Sequence, residues 1–180
     1  MQKSHSSVKK LTISAVLLAM NIIMSSSVLS VPVPGGHMYL NDLIIVTAAV
    51  LLDPLYAMAV GGLGAFLGDA IFYPTPMFVS LVTHGLQALV ISLFVHRVFR
   101  GKPETGSIIG SILGLVITVT GYTLGRAFIY STPAYAVAKF PFQILQTLVG
   151  SALALLLCWR FGLVKLYEKE FTRPDSYKQD

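Results

Sequence analysis

Charged residues are scarce in this sequence. Asp, Glu, Lys and Arg make up only 12% of its 180 residues, whereas apolar residues make up 54% and the mean hydropathy is +0.73. A soluble domain needs roughly a quarter of its residues charged to cover its surface, so lipid must cover much of this one. The composition excludes an ordinary soluble globular domain and predicts an integral membrane protein with room for one compact bundle.

Cysteine is rare and several catalytic motifs are missing. The one cysteine, Cys158, lies in an apolar run, so we expect no intrachain disulfide and a small hydrophobe packed in a helix. No Gly-x-Ser-x-Gly, His-Glu-x-x-His or Gly-x-x-x-x-Gly-Lys-Ser/Thr pattern occurs, and lack of the last excludes ATP binding by that loop. The first apolar run, Leu11 to Val31, lacks a small-residue cleavage site, so no cleavable signal peptide is expected.

Six apolar runs are separated by proline, glycine and polar residues. Since a transmembrane helix needs ~20 mostly apolar residues, the sequence predicts an all-α integral membrane bundle of six transmembrane helices. The predicted spans are about 10–29, 42–55, 56–73, 77–97, 106–130 and 138–159. Only Asp53-Pro54 separates the second and third runs, and proline disfavours helix at the residue before it, so a tight turn is expected. The helices form a single domain over residues 1–172, followed by a polar C-terminal tail, 173–180.

The placement of the basic residues predicts the orientation in the membrane. With six spans, both termini and the 97–105 loop share one side, and eleven of the thirteen Lys and Arg residues fall there. These are Lys3, Lys9, Lys10, Arg97, Arg100, Lys102, Arg160, Lys165, Lys169, Arg173 and Lys178. Basic residues near helix ends mark the cytoplasmic face, so both termini are predicted to be cytoplasmic in a multi-pass cell-membrane protein. The net charge of +5 then needs no nucleic acid partner.

Two basic residues, Arg126 and Lys139, defy this pattern and lie at the outer ends of predicted helices. Ionisable residues inside a membrane bundle are costly and usually face its interior, where they are functional candidates. One alternative is that they pair with Asp69 or Asp42, or reach the outer headgroups. We expect Arg126 to be structural, held by Asp69, and Lys139 to face a ligand.

Polar and aromatic side chains form stripes in the outer halves of three predicted helices. Helical spacing places the members of each stripe on one face, and the inner halves of the same helices are plain Leu, Val and Ile. The agreement in depth predicts a ligand pocket open to the outside, with the 31–41 loop as a lid over it. The candidate binding residues are His37, Tyr39, Asn41, His84, Gln87, Tyr122, Arg126, Lys139 and Gln143, with Tyr130 and Gln146 on the same stripes.

Small residues indicate close helix packing at two places. Gly64 and Gly68 in the third helix form a small-xxx-small pair, which permits two helix backbones to approach closely. Ala15 and Ala19 put a flat, small patch on one face of the first helix near the cytoplasm. By itself the alanine pair fits any helix contact.

Taken in order, these segments resemble the substrate-binding S components of energy-coupling factor (ECF) vitamin transporters, and they cover nearly the whole chain. The matching segments are Ala15-xxx-Ala19, Gly36-His-Met-Tyr-Leu-Asn-Asp42, Leu52-Asp-Pro-Leu-Tyr56 and Gly61-Gly-Leu-Gly-Ala-Phe-Leu-Gly-Asp69. The order is similar to the riboflavin-type branch, and within it to members assigned to pyridoxine, hydroxymethylpyrimidine or pantothenate.

The resemblance implies a binding component, not an enzyme, that captures a vitamin from outside. It implies association with a transmembrane T component, through the Ala15 and Ala19 face, and with two cytoplasmic ATPase subunits. The chain itself would need no cofactor, because the partner ATPases use the ATP. Pyridoxine or hydroxymethylpyrimidine is the expected ligand, stacked on tyrosine and bonded by His and Gln. Pantothenate and riboflavin are the alternatives.

Two other classes of function stay open at this point. A small intramembrane enzyme could use His84 as a general base with Asp69 as its orienter. A scaffold or assembly subunit would carry no ligand.

Overall fold

The computed structural model describes residues 2–26, 29–34 and 36–172, with side chains for 8–26, 29–34 and 36–170. The described part of the chain is 84% helical and contains seven α-helices. They are α1 (Gln2–Met24), α2 (Asn41–Leu51), α3 (Pro54–Phe72), α4 (Met77–Leu93), α5 (Pro103–Gly125), α6 (Pro133–Leu155) and α7 (Leu163–Thr172). Three of them, α4, α5 and α6, continue into single π-helical turns at Phe94–Val98, Arg126–Tyr130 and Leu156–Arg160.

Four helical segments are long and apolar enough to cross a membrane. They are Pro54–Phe72, Met77–Val98, Pro103–Tyr130 and Pro133–Arg160. This confirms a helical membrane bundle, whereas six separate spans stay a prediction. The 11-residue α2 is apolar but rises only about 16 Å, roughly half of a ~30 Å hydrocarbon core.

The short α2 lies at the centre of the bundle. All of its residues except Leu43 are buried, and its apolar side chains form the middle of the hydrophobic core with residues of α1, α3, α4 and α6. A helix that is buried on every side needs no polar face, which is why its sequence reads as one apolar run. The predicted turn after it is confirmed, because α2 ends at Leu51 and α3 begins at Pro54. Cys158 is buried in the same core, as a free thiol.

Several predicted helix boundaries were wrong. The first helix ends at Met24 rather than near residue 29. A run of serines begins at Ser25, and serine favours turns over helix interiors. The last long helix begins at Pro133, not at residue 138. Thr132 caps it by accepting from the backbone N–H of Tyr135 (3.3 Å), and proline suits a first helical position.

Two elements were not predicted. The amphipathic α7 follows Gly162, whose positive φ of +76° lets the chain turn away from the preceding helix. Its side chains Leu163, Val164 and Tyr167 pack against the hydrophobic core. The segment interpreted as a loop contains a short antiparallel hairpin, β1 (Val31–Val33) and β2 (Gly36–Met38), within the all-α bundle. Its prolines concealed the strands, because proline normally marks loops. The predicted tail 173–180 lies outside the described residues.

The glycines of α3 allow it to pack closely on two helices at once. A Cβ on Gly61 would lie 2.7 Å from the backbone oxygen of His84 in α4. On the other face, a Cβ on Gly64 or Gly68 would meet the side chains of Asn21 or Ser25 in α1 at 2.5 and 2.6 Å. The predicted small-xxx-small packing is therefore confirmed, and its partner is α1 of the same chain.

We expect Gly61→Ala to destabilise the bundle, because the new methyl group meets backbone that cannot rotate away. Overpacking of this kind costs about 1–3 kcal/mol, more than the ~1 kcal/mol that alanine gains over glycine in a helix. Thermal unfolding in detergent measures the effect. Gly101→Ala is the control, since nothing lies within 4 Å of its Cβ position. Equal melting temperatures for the two variants would contradict this account of the α3–α4 contact.

Candidate ligand-binding site

One cavity of about 230 Å³ opens at one end of the bundle. The C-terminal ends of α1, α3 and α5, the N-terminal parts of α2, α4 and α6, and the hairpin all contribute to it. Alternate helices run in opposite directions, which is why residues so distant in sequence meet there. The cavity is lined by Ser25, Gly36, His37, Tyr39, Asn41, Asp69, Tyr73, Pro76, His84, Tyr122, Arg126, Tyr130, Ser131, Tyr135, Lys139, Gln143 and Gln146.

Eight of the nine predicted binding residues line this cavity. They are His37, Tyr39, Asn41, His84, Tyr122, Arg126, Lys139 and Gln143. The ninth, Gln87, is fully buried behind His84 instead. The common depth of the polar stripes was therefore a sound guide to which helix ends meet.

A buried chain of hydrogen bonds supports His84 from behind. The Nδ1 atom of His84 lies 2.7 Å from Gln87 Oε1, and Gln87 Nε2 donates to Asp42 Oδ1 at 2.7 Å. Asp42 and Gln87 are wholly buried, and His84 is nearly so. The chain fixes the His84 ring at the cavity wall.

A second chain links Tyr122 to Asp69 through Ser80. The Ser80 hydroxyl donates to Asp69 Oδ2 and lies 2.5 Å from the phenol oxygen of Tyr122. The Tyr122 ring also packs against His84, with 5.4 Å between the ring centroids. Asp69 therefore bonds to Ser80, and His84 bonds to Gln87, so the His84–Asp69 pair that the enzyme alternative would use is not formed.

The predicted ion pair between Arg126 and Asp69 was wrong as well. No carboxylate lies within 4 Å of the Arg126 guanidinium among the described residues. The group sits 5.9 Å from the ring centroids of both Tyr122 and Tyr130, and its Nη1 atom is buried without a hydrogen-bond partner in the part of the chain described. The π-helical turn that begins at Arg126 shifts the helix register there, so sequence spacing could not give this direction. The cation faces the cavity instead of a carboxylate.

Lys139 and Gln146 attach the hairpin to α6. Lys139 Nζ donates to the backbone oxygen of His37 at 2.5 Å, and the backbone N–H of Tyr39 donates to Gln146 Oε1 at 3.1 Å. Lys139 is buried although it is a lysine. It lines the cavity, as expected, but one of its donors already bonds the hairpin. Burial, and then the nearby Asp69 carboxylate, raise the pKa of the Tyr39 phenol, so that this group stays a neutral donor.

Sequence reasoning did not assign Asp69, Tyr73, Ser131 or Tyr135 to the pocket. Three of these residues lie beside the proline-containing breaks, namely Tyr73, Ser131 and Tyr135. By sequence, those breaks indicate only connections between helices. Aromatic and polar residues next to such breaks at the pocket end were the available signal. The sequence indicated Asp69 only as a partner for Arg126, Lys139 or His84.

Ala15 and Ala19, the predicted partner-binding residues, lie outside the cavity. Both are exposed on α1, on the same side as the exposed Leu11, Val16 and Met20. The alanine face lies between the two ends of the bundle. Ser25, just after α1, lines the cavity at one end, and Lys10 pairs with Asp53 at 2.6 Å at the other.

We expect Lys139→Met to loosen the hairpin without unfolding the bundle. A hydrogen bond to a charged group contributes about 1.5–3 kcal/mol, so its loss raises local opening by roughly tenfold or more. Amide hydrogen exchange read by mass spectrometry should rise across residues 31–39 and stay unchanged in α3 and α4. Lys165→Met, an exposed lysine on α7, is the matched control. Unchanged exchange in the hairpin would rule out this attachment.

Comparison with known proteins gives a consistent family. The sequence model for the ECF-type riboflavin transporter, S component, matches residues 5–162. An uncharacterized protein in the gap 3' region of Pyrococcus woesei is 31% identical over 148 residues, covering 78% of this chain and 97% of that protein. A UPF0397 protein of Streptococcus agalactiae is 25% identical over 152 residues, covering 80% of this chain and 82% of that protein.

The family match extends over most of the chain, from the first helix to the end of the last long one. It confirms the resemblance to ECF S components at the level of the family, and with it a binding component of a transporter rather than an enzyme. It also implies association with a T component and ATPases. The chain belongs to the family of ECF-type riboflavin transporter S components.

Proposed function

We propose that this protein captures a small water-soluble vitamin from outside the cell as the S component of an ECF-type importer. The observation that carries the proposal is the cavity of about 230 Å³ at one end of an apolar bundle, lined by polar and aromatic side chains and covered by a hairpin. Such a lining in a lipid-embedded protein is costly unless a polar ligand uses it.

Pyridoxine or hydroxymethylpyrimidine is the favoured ligand. The cavity lies below the ~300–1,000 Å³ typical of ligand pockets, which suits a single ring better than the three-ring flavin of riboflavin. Four tyrosines in the lining offer aromatic faces to a ring, namely Tyr73, Tyr122, Tyr130 and Tyr135. Hydrogen bonds to hydroxyl groups are available from His84, Gln143 and Asp69.

Pantothenate is the second candidate, because of Arg126. Its Nη1 atom is buried beside the cavity without a hydrogen-bond partner in the described residues. A ligand carboxylate would satisfy that donor and offset the buried positive charge, which guanidinium does well through paired bonds.

Six spans with both termini cytoplasmic fit this role. The basic side chains of Arg97, Arg100, Lys102 and Arg160 lie at the bundle end away from the cavity, so the positive-inside rule turns the cavity outward. A T component and two ATPases that use ATP would then complete the importer from the membrane and the cytoplasm. The hairpin would act as a lid that slows release of the vitamin.

The test is whether the purified protein binds any of four compounds, which are pyridoxine, hydroxymethylpyrimidine, pantothenate and riboflavin. We expect calorimetric binding of pyridoxine or hydroxymethylpyrimidine, or of pantothenate for the second candidate, and a vitamin in denatured preparations by mass spectrometry. Arg126→Met should weaken binding by roughly tenfold or more, as for the loss of a bond to a charged group, without lowering ligand-free stability. Arg160→Met, at the other end, is the control. A protein that carries no ligand and binds none of the four vitamins would refute the proposal.

Docking on the T component should depend on the small size of Ala15 and Ala19. Both are exposed, and bulky side chains there would hold two helices apart and lose the packing on which association in lipid depends. Ala15→Trp with Ala19→Trp should leave vitamin affinity intact and abolish uptake. The control pair is Ile112→Trp with Val116→Trp, on the exposed side of α5. Copurification of the alanine double variant with the T component and ATPases would exclude this surface.

A further inference from the structure

Two carboxylates each end a chain of hydrogen bonds from a residue of the cavity wall. Asp42 is fully buried, whereas Asp69 is partly buried and lines the cavity itself. One chain runs from His84 through Gln87 to Asp42, and the other runs from Tyr122 through Ser80 to Asp69. A chain of this kind has a direction, because each member has a fixed number of donors and acceptors.

The first chain determines which nitrogen of His84 carries the proton. The Gln87 amide turns its NH₂ group toward Asp42, where Nε2 donates to Oδ1 at 2.7 Å. The amide oxygen of Gln87 then faces His84 Nδ1 at 2.7 Å and accepts a hydrogen bond from it. Neutral His84 is thereby held with its proton on Nδ1, which leaves Nε2 as a lone-pair acceptor.

In the second chain, too, each hydrogen bond is donated in the direction of the carboxylate. A serine hydroxyl has one hydrogen, and Ser80 donates it to Asp69, so the phenol of Tyr122 must donate to Ser80. The Tyr122 oxygen therefore has only lone pairs left for a ligand. His84 and Tyr122 are neighbours in the cavity wall, and in this pattern neither keeps a hydrogen to donate to a ligand.

Arg126 and Lys139 provide the opposite chemistry. Both line the cavity, and both can only donate. Arg126 has a free Nη1 in the described part of the chain, and its guanidinium lies against the Tyr122 ring. The cavity thus has an accepting side at His84 and Tyr122 and a donating side at Arg126 and Lys139.

We propose that Asp42 and Gln87 are positioning residues that set the ligand specificity of His84. By holding the Nδ1–H form, they require a ligand that donates from a hydroxyl or N–H group to His84 Nε2 and accepts from Arg126. A ligand with acceptors on both sides is rejected, because it would leave two lone pairs facing each other. The ligand preference rests on the proposed function, whereas the protonation pattern of His84 does not.

The protonation pattern is measured by ¹⁵N NMR of histidine-labelled protein without ligand. The chain has four histidines, and the His84 signals are those lost in His84→Gln. We expect the Nδ1–H form in the wild type. In Gln87→Leu the acceptor of the Nδ1–H bond is lost, and in Asp42→Leu no acceptor holds the Gln87 NH₂ group, so in both variants the share of the Nδ1–H form should fall. Asp53→Asn, a carboxylate at the far end, should change nothing. An Nε2–H form in the wild type, or an unchanged form in both folded variants, would overturn the proposal.

The ligand preference is measured with pyridoxine and analogues in which each hydroxyl in turn is replaced by hydrogen. Loss of the donor to His84 should reduce the affinity of the wild type by at least about tenfold for one analogue, and far less in His84→Leu. Equal losses in both proteins would overturn the role of His84 as acceptor. If pyridoxine itself does not bind, the substrate assignment is wrong, and the NMR result still decides the positioning role.

Discussion

The structure depends on one constraint, which is that a polar group inside a lipid-embedded bundle must find its partner within the protein. Phe128 and Phe161 are each 79% exposed, whereas Lys139 is 2% exposed and Gln87 is fully buried. This is the reverse of a soluble protein, because lipid accepts apolar side chains and offers nothing to polar ones. Polar residues therefore converge in the interior, and their convergence at one end of the bundle forms the cavity.

Close helix packing makes this convergence possible. The glycines of α3 bring its backbone against α4 and α1, and Gly150 of α6 brings that helix against Asp42 of α2. The short α2 can therefore lie at the centre, where its first turn holds Asp42 behind the cavity wall. Small side chains support association in lipid because dispersion contacts replace the missing hydrophobic effect. The packing and the site are thus parts of one arrangement.

The same hydrogen bonds give the site its chemical direction. Asp42 lies behind the wall and Asp69 lies in it, and both accept hydrogen bonds, so Gln87 and Ser80 direct their donated hydrogens toward these carboxylates. Arg126 and Lys139 have no such carboxylate close by in the described residues, and their donors face the cavity or its hairpin. A ligand is then selected by where it donates and where it accepts, beyond its size and its aromatic ring.

The sequence by itself determined the membrane class, the helical bundle and the end at which the polar stripes meet. Hydropathy and spacing are local properties, and lipid leaves few alternatives for Gln143 or His84 once their helices are known. Only the tertiary structure decided which side chains contact one another. Arg126 faces tyrosines instead of Asp69, Gln87 lies behind the cavity wall, and residues 31–33 and 36–38 pair in a hairpin attached to α6. Those outcomes follow from helix rotation, from π-helical turns and from contacts across a hundred residues, none of which is fixed by the spacing within one helix.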